Sequence, residues 1–266
     1  MRKNLKLREA IGKIEKRLPL FWAEEWDNSG LAVGDPSSDI CGVALSLDAT
    51  EDVVAGTAKA GCQLLITHHP IIFRAIKSIV YDSPSSKAIV CAINNGIAIY
   101  SAHTNWDSSY EGVNRCLADK IELCNIEPLV LPSLPNGAWG AGAAGSFINP
   151  VPMDKCLNLL KERWRLSSCF GYGNAAKMIK KAAIGGGSCG EMWRDALLSG
   201  SDLFITSDLS YHQRQDALNV GLNLITVDHG EMERASLPSL KALIEEETGL
   251  PVKLIDEKPL DIICCK

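Results

Sequence analysis

With 266 residues, 46% of them apolar and 22% charged, the chain can bury one large core or two ordinary ones and has the balance of a soluble globular protein. A net charge of −5 argues against a broad nucleic-acid footprint, which would be strongly basic, although a local basic patch is compatible with it. No run of about eighteen apolar residues occurs, and Met1-Arg2-Lys3-Asn4-Leu5-Lys6 leads into a charged amphipathic pattern instead of a signal-peptide core, so the expected location is the cytoplasm.

The ten cysteines do not form a framework. Cys41, Cys62, Cys91, Cys116, Cys124, Cys156, Cys169 and Cys189 are scattered singly, no CxxC pair occurs, and a chain of this size needs no disulfide scaffold. They read as reduced small hydrophobes. Cys264 and Cys265 stand side by side near the end and are given no role.

In chain order, Leu7, Ile11, Ile14 and Leu18 fall at helical spacing over residues 6–18, and Pro19 closes that helix. The stretch from Trp26 to Pro36 is dense in turn formers yet carries a tryptophan. It reads either as an ordered loop folded against another element or as a tight turn with Trp26 plugging the core. Cys41 to Leu47 reads as a buried strand ending at Asp48, Ala49 to Ala60 as a helix closed by Gly61, and Gln63 to Thr67 as the next strand.

Strand, helix and strand at these lengths make a parallel crossover, which places His68 and His69 at the carboxyl end of a parallel strand. Open parallel sheets bind ligands at that end. The chain has only five histidines, and neutral imidazole is the commonest nitrogen ligand for Zn, Fe and similar metals, so the pair points to a metal site. The alternative is that one histidine caps the strand and the other faces solvent.

After Pro70 the chain reads as a loop, with room for a short helix between Ile71 and Val80. Ser83-Pro84 opens a helix that Gly96 ends, and Ile97 to Ala102 is a third strand delivering His103-Thr104-Asn105-Trp106-Asp107. Ser108 is expected to cap a helix carrying Val113 and Leu117 inward. Asp107, just ahead of that helix, reads as a metal ligand or as a plain N-terminal charge. Prolines 128, 132, 135, 150 and 152 with clustered glycines mark residues 127–152 as a linker or irregular crossing.

A helix from Met153 to Trp164, a strand from Arg165 to Cys169 and a strand from Lys180 to Ile184 follow, and then a glycine-rich turn, Gly185 to Gly190, before a helix from Glu191 to Leu198. Strand, glycine turn and helix suit an anion at a helix N-terminus, but the GxxxxGK[ST] pattern is absent; tight packing beneath a site is the stronger reading.

The C-terminal half repeats the N-terminal theme. Residues 60–69 have a counterpart in 199–208, and residues 95–103 in 220–229, each copy running helix, glycine, strand, polar cluster. Periodicity common to any βα units is the alternative explanation. Two such units facing one another would bring their strand ends to a shared cleft. The expected fold is therefore α/β: two similar facing domains, each a mostly parallel or mixed sheet with flanking helices, with residues 1–126 completed by 236–266 and the second domain spanning 127–235.

Glu233 lies four residues past His229 and shares its face if the turn is helical, whereas Glu231 points away. Three or more histidines with two carboxylates exceed what one tetrahedral ion needs and match two neighbouring divalent ions. His212, in Ser210-Tyr211-His212-Gln213, serves either as a proton-transfer residue or as a helix cap.

Trp26-Asp27-Asn28-Ser29-Gly30-Leu31 with Val33-Gly34, Thr67-His68-His69-Pro70, His103-Thr104-Asn105-Trp106-Asp107, Thr206-Ser207-Asp208 with Tyr211-His212, and His229 with Glu233 stand in an order and spacing that resembles the Nif-three-like family. Its bacterial members are often labelled GTP cyclohydrolase 1 type 2 homologues. The resemblance runs through nearly the whole chain, in the short form without an inserted middle domain. It implies two facing α/β domains, a dinuclear divalent-metal site and a toroidal homohexamer. Carried over by residue, the ligands are His68, His69, Asp107, His229 and Glu233, with His103 in or beside the ligand set. Trp106 stands where the family usually has an aliphatic residue and Ser207 where it often has glycine, so both are expected to narrow or reshape the substrate pocket.

The chemistry these residues imply is metal-assisted hydrolysis of a nucleotide or related phosphorylated small molecule, either ring opening of GTP or phosphate release, with His212 or His103 as proton donor. Zn, Fe and Mn all accept such ligands. A metal chaperone, a metal-loaded hexameric scaffold and a ring-shaped nucleic-acid-associated regulator are the non-enzymatic alternatives.

Overall fold

The computed structural model describes residues 4–133 and 136–255. Cys264, Cys265 and the rest of the segment 256–266 lie outside the described residues. The chain divides into two compact units, one built from residues 4–106 and 237–255 and the other from residues 107–133 and 136–236.

The first unit runs β1 (Leu5–Lys6), α1 (Leu7–Arg17), β2 (Gly30–Val33), β3 (Asp39–Ile40), β4 (Val43–Ser46), α2 (Glu51–Lys59), β5 (Leu64–Thr67), α3 (Pro84–Asn95), β6 (Ala98–Ser101) and all but the last residue of the short helix α4 (Thr104–Asp107). A C-terminal helix, Leu237–Thr248, and strand, Val252–Leu254, return to it. Its main sheet has the order C-terminal strand, β4, β5, β6, β2, parallel throughout except for β2.

Local sequence explains the helix ends. Thr50 accepts a hydrogen bond from the Val53 amide at the start of α2. Ser83 does the same for Ser86 ahead of Pro84, and α3 stops at Gly96, whose φ of 62° suits glycine. Ala44, Leu65 and Ile99 from the strands pack against Val53, Val54, Ala88 and Ala92 from α2 and α3. Each fully buried Val, Leu or Ile contributes about 1.5–3 kcal/mol, more than any single cap, so this layer holds the sheet against its helices. On α1, Leu7, Ala10, Ile11 and Ile14 are buried, and Arg17 reaches Glu247 of the C-terminal helix at 3.1 Å.

The strand ends form an ordered edge. Ser46, Thr67 and Ser101 lie side by side in register and are fully buried. Ser46 Oγ donates to Asp48 O at 2.9 Å and Thr67 Oγ1 to His69 O at 2.8 Å. Hydroxyls in the last strand position thus satisfy the backbone as it leaves the sheet and fix the direction of the residues that follow.

The second unit contains α5 (Val113–Lys120), β7 (Cys124–Glu127), β8 (Ala143–Pro152), α6 (Met153–Trp164), β9 (Cys169–Tyr172), β10 (Met178–Ile184), α7 (Trp193–Leu198), β11 (Leu203–Thr206), α8 (Tyr211–Asn219), β12 (Asn223–Val227) and α9 (His229–Arg234). Its sheet order is β7-β8-β10-β11-β12-β9, with β10, β11 and β12 parallel and the outer pairings antiparallel. The run β10-β11-β12-β9 reproduces β4-β5-β6-β2: three parallel strands closed by an antiparallel one. The faint repeat in the sequence is therefore a repeat of topology, with β5 matching β11 and β6 matching β12.

Several expectations are corrected. Trp26 is 61% exposed and plugs no core. Within the expected loop, Gly30–Val33 pairs antiparallel with β6, a short edge strand hidden between turn formers. Residues 71–80 contain no helix. Ser108 does not cap α5; Gly112 does, and Asp107 is the last residue of α4. The region 127–152 is not all linker, because β8 fills residues 143–152, accommodating Pro150 where its pairing with β10 shifts register and Pro152 at its last position. Arg165 is the left-handed residue ending α6, at φ 60°, so the next strand begins only at Cys169. A 3-10 turn over Gly190–Met192 precedes α7.

Candidate metal site

In the first unit, β5 and β6 deliver three imidazoles together. One ligating atom from each of His68, His69 and His103 lies within 4.8 Å of the others. His68 is 1% exposed. Its Nδ1 is 3.0 Å from the carbonyl oxygen of Ala102. A carbonyl can only accept, so Nδ1 carries the proton and Nε2 the lone pair. His69 Nδ1 is 2.8 Å from Asp48 Oδ1, and His103 Nδ1 is 2.7 Å from Asp27 Oδ1. Each ring is therefore oriented through its Nδ1. A histidine whose other nitrogen is tied to a carbonyl or carboxylate is the usual arrangement at a bound metal.

Asp27 is the hub of the His103 side. Burial pushes its carboxyl up, but hydrogen bonds from His103, Ser29 and Thr104 outweigh that and hold it well below the usual carboxylate range. Ser29 Oγ and Thr104 Oγ1 each donate at 2.6 Å. Beside His69 opens a cavity of about 470 Å³ whose walls include Asp48, Thr50, Pro70, Ile71, Ser85 and Lys87.

In the second unit, β12 ends at Val227 and α9 begins at His229, with Asp228 capping the helix through the Glu231 amide. The helical spacing brings His229 Nε2 to 3.1 Å from Glu233 Oε1. Nδ1 of the same ring is 2.9 Å from Asp208 Oδ2, at the exit of β11, and this bond holds the Asp208 carboxyl below its ordinary range. With Nδ1 donating, a neutral ring turns its Nε2 lone pair toward a carboxylate oxygen. A cation between them, or a second proton, removes that repulsion. Two donors of one ion at bonds of about 2.0–2.2 Å stand about 3 Å apart, so the pair fits a metal. Glu231 is directed away and accepts from the Ser167 amide at 2.8 Å.

The glycine turn builds this second cluster. Gly187, at φ 77°, has no room for a side chain, because a Cβ would run into Glu233 Oε1. Its carbonyl accepts from Thr206 Oγ1 at 3.0 Å and Ser207 Oγ at 2.6 Å. The amides of Gly185, Gly186 and Cys189 are taken by Ile205, Asn114 and Gly187. The turn is thus packed tightly beneath Glu233, which supports the tight-packing reading. Burial, and then the charges of Asp107, Glu233, Glu191 and Asp208, push the Cys189 thiol up to about 12, so it stays protonated beside those carboxylates.

Of the residues singled out from the sequence, His68, His69 and His103 come together, and so do His229 and Glu233. Asp107 stands near Cys189 with Glu233 and Asp208. His212 is exposed on the first turn of α8 and packs edge-on to Tyr211 at 5.3 Å. Trp106 is fully buried in the first unit and Ser207 holds the glycine turn, so both departures from the family pattern have structural roles. Sequence reasoning missed the carboxylates that orient the rings: Asp27, Asp48 and Asp208. Their signal was position, since Asp48 and Asp208 each follow a parallel strand by two residues.

Parallel strands that end in ring-oriented histidines and carboxylates define an α/β protein equipped to bind metal. The family model for Duf34/NIF3 (NGG1p interacting factor 3) matches residues 5–259. The chain belongs to that family. It is 33% identical over 254 residues to a GTP cyclohydrolase 1 type 2 homolog of Clostridium perfringens, covering 96% of this chain and 97% of that protein. It is 30% identical over 267 residues to NIF3-like protein 1 of Drosophila melanogaster, covering 96% and 88%. Staphylococcus aureus protein SA1388 superposes with a TM-score of 0.90 at 25% identity, covering 97% of this chain and 99% of that one. A Bacillus cereus protein related to NIF3 shares the fold with a TM-score of 0.91 at 21% identity, covering 99% and 100%. Among the described residues no helix is long and apolar enough to cross a membrane.

Proposed function

We propose that the chain is a dinuclear divalent-metal-dependent hydrolase acting on a nucleotide or related phosphorylated small molecule. The observation that carries this reading is the uniform treatment of the rings: His68, His69, His103 and His229 each have Nδ1 engaged by a carbonyl or carboxylate, the arrangement usual for metal-bound histidines. His68, His69, Asp107, His229 and Glu233 would hold two ions. Zn, Fe and Mn all suit such mixed imidazole and carboxylate donors. Bound divalent ions supply water activation near neutral pH and stabilisation of developing negative charge.

The protein's own residues supply the rest. Asp27 holds the His103 ring with Nε2 outward, so His103 is placed to take or give a proton at that atom. The cavity beside His69 offers a substrate space of suitable size, with Lys87 as a cationic contact among the carboxylates of Asp48, Glu51 and Asp52. His212 is the second candidate for proton transfer. The name carried by the clostridial relative, a GTP cyclohydrolase 1 type 2 homolog, supports a nucleotide among the substrates to test. A cytoplasmic toroidal homohexamer completes the proposal.

The test is a broad substrate screen on metal-loaded protein, run beside His69→Ala and Glu233→Ala. Turnover lost in both variants supports the hydrolase. Turnover unchanged in both points to a contaminant, and metal binding without turnover points to a chaperone or scaffold.

A further inference from the structure

The donor triad of the first unit carries an aromatic pair that the metal chemistry does not use. Trp26 and Phe73 are 61% and 48% exposed. Their ring centroids are 5.9 Å apart with planes at 64°, and each packs edge-on to His103, at 6.1 Å and 6.3 Å. Edge-on packing covers at most one face of each ring, so broad π surface stays open next to His103.

The pair is also held in place. Asn28 Nδ2 donates to Ile72 O at 2.6 Å, joining the Trp26 segment to the Phe73 segment. The Glu24 amide donates to Thr104 Oγ1 at 2.9 Å, and Asp27, next to Trp26, is fixed by the hydrogen bonds already described. Of the six tryptophans, Trp26 is the exposed one. Two large rings pinned in solvent beside three imidazoles are poor core residues and good stacking surfaces. Meanwhile the 470 Å³ cavity is lined from the His69 side by Thr50, Ser85 and Lys87 together with the carboxylates of Asp48, Glu51 and Asp52, a polar wall that suits the hydroxyls of a sugar.

We propose that Trp26 and Phe73 form the base-stacking wall of a nucleotide site, selecting substrates that carry a planar heteroaromatic ring next to the histidine triad. This rests on the hydrolase reading above and names its substrate class. Stacking accepts any base, because every base presents a π face, so the wall selects nucleotides over ring-free phosphates more than one purine over another.

The test is calorimetric titration of metal-loaded protein with GMP, AMP and ribose 5-phosphate, with metal content and sedimentation measured on the same samples. Both nucleotides should bind about tenfold or more tighter than ribose 5-phosphate. Trp26→Leu and Phe73→Leu should each weaken nucleotide binding by about fivefold to tenfold while leaving ribose 5-phosphate affinity and metal content unchanged, and Trp26→Phe should retain most of the preference. Equal binding of all three compounds by metal-loaded wild type overturns the wall alone, as does a variant that weakens all three alike. A change in sedimentation coefficient with nucleotide affinity intact overturns it in favour of contact with a second copy of the chain. Failure of the wild type to hold metal removes the hydrolase reading and this proposal with it.

Discussion

His103 Nδ1 lies 2.7 Å from Oδ1 of Asp27, a carboxylate whose side chain has no exposure to solvent. The same carboxylate accepts from Ser29 and from both the amide and the hydroxyl of Thr104. An ion so placed orients one ring, pins one strand exit and shapes the pH dependence of the fold.

Because the folded state holds the Asp27 carboxyl below its ordinary range, Asp27 stabilises the protein above the unfolded value of about pH 4, and that contribution is lost as pH falls through the folded value. Asp27→Asn should cost about 1.5–3 kcal/mol at pH 7. The gap between wild type and variant, read from urea midpoints between pH 7 and pH 3, should narrow below about pH 4. A gap that stays constant with pH contradicts this role.

Asp48 and Asp208 orient His69 and His229 from half-exposed or exposed positions, with side-chain exposures of 44% and 59%. Asp48→Ala and Asp208→Ala should leave the melting temperature close to wild type and weaken divalent-metal affinity by about 10–100-fold. Competition against a chromophoric chelator measures this, and unchanged affinity would show that the rings are oriented by other contacts.

Gly187 and Gly200 provide a controlled comparison. Both have nearly the same backbone, φ 77° and 76°, but a Cβ at Gly200 meets open space while one at Gly187 meets Glu233. Gly200→Ala should cost about 1–2 kcal/mol of left-handed strain and leave metal binding alone. Gly187→Ala should show the same strain plus a loss of metal affinity. Equal metal affinity in the two variants would mean that Glu233 can move aside.

His212 is exposed and belongs to neither donor cluster. His212→Ala should change stability by less than about 0.5 kcal/mol and leave metal stoichiometry intact. If it is the proton donor, turnover on an identified substrate falls by about 100-fold or more. If turnover is unaffected there and falls in His103→Ala, the role belongs to His103.

Much of this arrangement was legible in the sequence because its signals are local. Thr50, Ser83-Pro84 and Gly96 mark helix ends through their own hydrogen bonding and φ preference. The apolar runs before His68, His103 and His229 read as parallel strands because they are buried on both faces. The i,i+4 spacing of His229 and Glu233 needed only a helix to bring them together. What escaped depends on distant partners. Gly30–Val33 is a strand only because β6 lies beside it, and Trp26 looks like a core residue until its neighbours are known. Asp27 sits 76 residues from the histidine it orients, a pairing that periodicity and spacing do not encode.

The most direct test of the account is metal stoichiometry. Apo protein titrated with Zn²⁺ or Mn²⁺, and elemental analysis of gently purified protein, should give about two ions per chain, falling toward one in His69→Ala and in Glu233→Ala with the fold retained. Fewer than about one ion per wild-type chain, or a stoichiometry that neither substitution changes, would contradict the dinuclear assignment.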